Sequence, residues 1–214
     1  MGQAIAQQLK SGYQIYVLDK DSNKTQGLEG VSIAQNLQAL LTSSDTLILA
    51  IKPQDFDGVL NEIKGFLKTQ LVISIAAGIT SAYIETRLQK ARVVRVMPNL
   101  PAKVAQGMIA LCKGKYAQDE DLTFAQELFT RLGKTLIINE DKMDAVTAVS
   151  GSGPGFFYSL IQPLDKTKWE EFGNMVFTPA LIGSAKQAGF SAEEAAVLAS
   201  STTNGSIALL KVTG

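Results

Sequence analysis

Thr147-Ala148-Val149-Ser150-Gly151-Ser152-Gly153-Pro154-Gly155 divides the sequence into two halves of different character. Ahead of it, strand-like apolar runs alternate with amphipathic helical patterns; behind it, strand signals fade and helical patterns take over. The glycines and serines give a backbone that bends tightly and lets a ligand come close. Pro154 has a fixed φ and no N–H, which suits the first turn of a helix, so the residues before it are expected to form a helix N-terminus. Unpaired N–H donors and the positive end of the helix dipole there suit a carboxylate. A plainly capped helix after a domain junction is the other reading of the same residues.

Outward toward the N-terminus, Gln3 to Lys10 places Ala4, Ile5 and Leu9 on one side, with Gly12 as a stop. Tyr13 to Leu18 then alternates like a strand and ends at Asp19. A helix followed by a strand that ends in an acid, shortly after a glycine, reads as the second half of a dinucleotide-binding βαβ unit. Gly2 is then the last glycine of its phosphate-binding motif, and the chain is expected to begin inside that motif. Asp19 suits a ribose 2′-hydroxyl and hence NAD, whereas Lys20 suits a 2′-phosphate and hence NADP. The sequence leaves both open.

Next come a helix candidate from Ile33 to Leu41 and a buried strand from Asp45 to Ile51, with Lys52-Pro53 at its C-terminal end. Asp57 to Leu67 reads as a helix, and Leu71 to Ile75 as a strand running into Ala76-Ala77-Gly78. Ligands of open parallel sheets sit at such strand ends, where small residues let a flat ring or a phosphate approach the backbone. Ser81 to Leu88 reads as a helix and Arg92 to Met97 as a strand, stopped by Pro98-Asn99-Leu100-Pro101. Strands at Met108 to Cys112 and Thr135 to Ile138 flank a helix from Asp119 to Leu132, with Gly133 as its stop. The alternation predicts an α/β class, doubly wound and mostly parallel, over residues 1–146. A smaller all-helical domain is expected over 147–214.

In that second half, Phe156 to Ile161 and Ala180 to Ala188 read as helices, and Ser191-Ala192-Glu193-Glu194 as a capping box opening another. Ser200-Ser201-Thr202-Thr203 in the last helix points to close helix packing. Between Pro163 and Pro179 lie Trp169, Phe172, Met175 and Phe177, apolar enough to bury something, and both prolines are expected to interrupt helix.

Acids and bases balance at 20 each with no basic block, so nothing points to nucleic acid or an anionic membrane. The apolar runs are too short to span a bilayer and no signal peptide is recognisable, so a cytoplasmic location is expected. Cys112 is the sole cysteine and histidine is absent, which excludes an internal disulfide, a Ser-His-Asp or Cys-His nucleophile and a histidine-based zinc site. No metal is expected. Catalysis here must use hydroxyls, carboxylates, lysine, backbone dipoles or a cofactor.

Four segments, in order, resemble the pyrroline-5-carboxylate reductases: Ile48 to Gln54, Ser74 to Gly78, Arg95 to Pro101, and Asp144 to Pro154. The resemblance implies a Rossmann-type domain followed by a helical domain that forms a homodimer or a higher homo-oligomer. It implies NAD(P)H-dependent reduction of 1-pyrroline-5-carboxylate to L-proline, with NADP(H) or NAD(H) as cofactor. Carried over by motif, Gly2, Asp19, Lys20, Asn36, Ala50, Ile51, Lys52, Pro53, Ala76, Ala77 and Gly78 belong to the cofactor site. Asn99, Glu140, Thr147, Ser150, Gly151, Ser152 and Gly153 lie near the substrate. Against the family pattern, a leading strand, a Thr-Ser-Pro-Gly-Gly-Thr-Thr loop beyond Gly214 and an uninterrupted helix at 163–179 are missing, the last because of an expected insertion. Two alternatives follow: an inactive or truncated homologue that still dimerises or binds nucleotide weakly, and a reductase of another imine or hydroxy acid.

Overall fold

The computed structural model describes residues 1–213. The chain divides into two compact units, one of residues 1–96 and 112–131, the other of 97–111 and 132 onward.

In the first unit, α1 (Gly2–Leu9) buries Ile5, Ala6 and Leu9 and leads into β1 (Tyr16–Val17). This strand pairs in parallel with β2 (Ser32–Ile33), where a continuous helix from Ile33 was expected. The helix begins only at α2 (Leu37–Thr42), because Asn36 is extended and its side-chain oxygen caps the Ala39 N–H at 2.8 Å. β3 (Thr46–Leu49), α3 (Phe56–Ile63), β4 (Leu71–Ser74), α4 (Ser81–Arg87) and β5 (Val93–Met97) follow. β3, β4 and β5 pair in parallel, with Leu49 opposite Ser74 and Ile73 opposite Val94. Every residue of β4 is buried, as expected of a strand covered on both faces. Leu47, Leu49, Phe56, Leu60, Ile63, Val72, Ile84 and Val93 form the core between sheet and helices.

β6 (Gly107–Lys113), α5 (Asp119–Thr130) and β7 (Gly133–Ile137) complete the α/β part, and the five longer strands are ordered β3-β4-β5-β6-β7. The expectation of a mostly parallel sheet is met. Gly133 does not stop the helix, which ends three residues earlier at Thr130; it opens β7 at φ +147°, opposite Gly107 in the parallel β6–β7 register. A Cβ there would run into the Gly107 backbone, so the strand pair needs glycine at this position.

The second unit continues as helix. A 3₁₀ turn (Glu140–Lys142) runs into α6 (Met143–Val146), a π-turn (Thr147–Gly151) and α7 (Gly153–Ile161). α8 (Trp169–Phe172), a second π-turn (Gly173–Phe177) and α9 (Thr178–Gln187) form a further helical run. α10 (Ala192–Thr213) is opened by the expected capping box, with Ser191 N–H donating to Glu194 Oε2 at 2.8 Å and Glu194 N–H to Ser191 Oγ at 3.1 Å. Gly214, the last residue assigned to the helical half from the sequence, lies outside the described residues.

Pro163 lies just beyond the end of α7, as anticipated, but Pro179 sits in the first turn of α9 and interrupts nothing. A proline in a first turn lacks only an N–H that the preceding π-turn has already displaced from the α register. The segment between them is mostly exposed but sends one ring into the core: Phe177 is buried 5.1 Å from the ring of Phe157, and the half-buried Phe172 lies 6.2 Å from the same ring.

Candidate active site

The first unit gathers the residues expected at a nucleotide. The first hydrogen bond of α1 runs from Ile5 N–H to the Met1 carbonyl at 3.1 Å, which leaves the N–H groups of Gly2, Gln3 and Ala4 ahead of the ladder, with no side-chain cap. This helix end abuts the end of β3: a Cβ built on Gly2 would lie 3.1 Å from Ala50 Cβ. Ala50, Ile51 and Lys52 follow β3, and Pro53 opens a short 3₁₀ turn (Pro53–Asp55) capped by the Lys52 backbone, whose carbonyl accepts the Asp55 N–H at 2.9 Å. β3 and β4 are paired neighbours, so Ala76, Ala77 and Gly78 form the adjacent strand end. Gly78 has φ +72° with open space around it, and Ala77 is exposed. Backbone donors, bare strand ends and an uncapped helix terminus fit a diphosphate and a flat ring.

Asp19 follows β1 closely, and its Oδ1 accepts the Asp21 N–H at 2.9 Å. Lys20 does not reach toward Asp19; its Nζ donates to both carboxylate oxygens of Asp55, at 2.9 and 3.1 Å. Asn36 stands at the end of β2 beside Asp19's own strand, and its oxygen is spent on capping α2.

The second unit holds the remaining candidates. The Ser150–Gly153 stretch is not the free helix N-terminus expected from its glycines. It lies inside a continuous helical run, and the Ser152 N–H donates to the Thr147 carbonyl at 2.9 Å across the π-turn. The reason is local: a π-turn takes up one extra residue without breaking the helix, so Pro154 falls in a first turn that has no exposed end. Thr147 Oγ1 donates back to the Met143 carbonyl at 2.9 Å, and Ser152 Oγ to the Thr147 carbonyl at 3.2 Å. Glu140, half-buried, opens the same run two turns ahead of Thr147.

Pro154 leaves the Ser150 carbonyl, four residues back, without its usual helical donor. Asn99 supplies one: its Nδ2 lies 3.3 Å from that oxygen and 3.3 Å from Ser150 Oγ, while its Oδ1 accepts the Met108 N–H at 2.9 Å. Thr202 on α10 donates to Ser150 Oγ at 2.9 Å. Asn99, Ser150 and Thr202 are all buried. The structure therefore brings Asn99 and Ser150 together as a strut within this unit.

Two partners had no clear signal in the sequence. Thr202 belongs to a small polar run that reads only as helix packing. Asp55 follows Lys52-Pro53-Gln54 without any motif of its own. Among the described residues no group of three or more His, Cys, Asp or Glu is placed to hold a metal ion, and no helix is long and apolar enough to cross a membrane.

Residues 1–78 match the family described as NADP oxidoreductase, coenzyme F420-dependent. The pyrroline-5-carboxylate reductase of Methanosarcina acetivorans is 42% identical over 137 residues, covering 63% of this chain and 51% of that protein. Pyrroline-5-carboxylate reductase 1 of Bacillus spizizenii is 34% identical over 182 residues, covering 82% of this chain and 61% of that protein. The solved structure of a pyrroline-5-carboxylate reductase from Coxiella burnetii aligns with a TM-score of 0.70 at 26% identity, covering 100% of this chain and 81% of that one. The chain spans 51% and 61% of the length of these two curated relatives.

Proposed function

We propose, for a chain that belongs to the pyrroline-5-carboxylate reductase family, that it reduces 1-pyrroline-5-carboxylate to L-proline with NADH or NADPH, the last step of proline synthesis. The observation that carries this reading is the convergence of the α1 N-terminus on the bare ends of β3 and β4. When bound, the reduced nicotinamide supplies the hydride that becomes the new C–H bond at the C=N carbon, and the ring nitrogen keeps one proton.

The N–H groups of Gly2, Gln3 and Ala4 hold the diphosphate in this reading, and Asp19 and the Asn36 amide face the adenosine half. Ala50, Ile51, Lys52 and Pro53 line the nicotinamide side, and Ala76, Ala77 and Gly78 let the ring lie against main chain. Glu140, Thr147, Ser150, Gly151, Ser152 and Gly153 attend the substrate. Asn99 acts through Ser150 as a positioning residue. A cyclic imine protonates readily near neutral pH, so orientation counts for more than a strong base, which suits a chain without histidine.

The division of labour we assign is nucleotide on 1–146, substrate and self-association on 147–214, with the 163–179 segment anchored to the second by Phe177. Phe156 and Leu160 lie four residues apart on α7 and are 57% and 52% exposed; Met175 and Val176 add further apolar surface. An apolar face of this kind supports a homodimer. Light scattering is expected to give twice the chain mass, and Leu160→Asp to shift it to one chain mass. A monomeric parent chain would remove the dimer. A cytoplasmic location accords with the biosynthetic reaction.

The deciding experiment is loss of reduced-nicotinamide absorbance when the purified chain meets 1-pyrroline-5-carboxylate with NADH, and separately with NADPH. Stoichiometric formation of proline is the expected result. Dinucleotide binding without turnover would favour a homologue that retains the nucleotide site alone.

A further inference from the structure

The loop that follows β1 is tied to the start of α1 by Gln3, whose Nε2 donates to the Lys24 carbonyl at 2.6 Å. It therefore lies beside the helix end assigned above to the diphosphate, where the adenosine ribose of a dinucleotide would sit. Three carboxylates and two ammonium groups furnish this neighbourhood. Asp19 is oriented by the Asp21 N–H, and Asp21 in turn caps the Asn23 N–H at 3.1 Å. Lys20 is paired with Asp55 through both carboxylate oxygens, and Lys24 Nζ stands 3.9 Å from Asp19 Oδ1.

Each cation thus already faces an acid, and one carboxylate is left in excess. A 2′-phosphate arriving here meets the Asp19 carboxylate, with Lys20 held by Asp55 and Lys24 standing beside Asp19 itself. A 2′-hydroxyl instead donates to Asp19, which accepts at no cost in like charge.

We infer that this loop selects NADH over NADPH, with Asp19 as the discriminating group and Asp55 as the residue that keeps Lys20 from a 2′-phosphate. The inference rests on the dinucleotide-binding reading above and deepens it. The Lys20–Asp55 pair is largely exposed, so its own share of the discrimination is modest. Asp19 carries the larger part.

The test is calorimetric titration of the whole chain with NADH and with NADPH, which needs no turnover. NADH is expected to bind at least about tenfold more tightly, the scale of one missing or repelled polar contact. Asp19→Ser is expected to bring the two within about threefold, mainly by tightening NADPH. Asp55→Asn frees Lys20 and is expected to tighten NADPH about two- to fivefold, the range of one exposed ion pair. NADPH binding as tightly as NADH to the parent chain overturns the inference and leaves the nucleotide site standing. Binding of neither dinucleotide at millimolar concentration overturns the site and the inference together.

Discussion

Asn99→Ala is expected to destabilise the second unit by about 2–4 kcal/mol, because it strips partners from two buried backbone groups at once. The Met108 N–H loses its acceptor, and the Ser150 carbonyl, which Pro154 cannot serve, loses its donor. Neither group has water within reach, since Asn99 and Ser150 are 2% and 1% exposed. Asn99→Asp keeps the acceptor for Met108 but buries a carboxyl. Burial raises the carboxyl pKa of the folded variant, so its stability deficit grows as pH rises through the ordinary carboxylate range and shrinks in acid, where a protonated Asp can donate to Ser150. Hydrogen exchange at the Met108 amide, with a denaturant midpoint for the unit, reads both effects. A loss of under about 0.5 kcal/mol for Asn99→Ala, the range of ordinary surface substitutions, would remove the strut from what holds this unit together.

Gly205→Ala should also destabilise, by about 1–3 kcal/mol, the usual range for overpacking, although alanine is the better helix former by about 1 kcal/mol. Gly205 lies in the middle of α10 and is buried. A Cβ there would stand 2.8 Å from Pro101 Cβ and closer still to the Gln106 carbonyl oxygen, and a backbone oxygen cannot swing aside. The control is Gly183→Ala on α9, where nothing lies within 4 Å of the new methyl group. That variant is expected to gain up to about 1 kcal/mol. Thermal denaturation of the pair separates the two causes: a gain in both would mean that α10 stands further from the Pro101 turn than the structure has it.

Legibility varied with how local the deciding physics was. The β4 strand could be read from its own residues, because a run such as Leu71-Val72-Ile73-Ser74 can satisfy its apolar content only inside a covered sheet. The start of α10 was equally plain, since Ser191 and Glu194 cap each other within four residues. Ser150 to Gly153 misled for the opposite reason. Glycine and proline mark where a helix ends freely, and they also mark where it takes up an extra residue; the choice between these was made by Asn99 and Thr202, each about 50 residues away along the chain.

The cofactor candidates divide the same way. Strand ends at Ala50 and Ala76 follow from the position of β3 and β4. The partner of Lys20 did not follow from anything nearby, because an ion pair across 35 residues leaves no periodic trace. Sequence therefore offered Lys20 as a base for a phosphate, and only the fold shows it engaged by Asp55.

The ends of β3 and β4 and the start of α1 present Gly2, Ala50, Ala76, Ala77 and Gly78, residues with little or no side chain to remove. Truncation scanning, the usual way to map a binding surface, is consequently blind at Ala50, Ala76 and Ala77, where it replaces alanine with itself, and removes nothing at the two glycines. A scan that adds bulk, placing valine or leucine at Gly2 and the three alanines in turn, would trace the outline that shortening side chains leaves invisible; Gly78, at φ +72°, is left out because any side chain there strains the backbone.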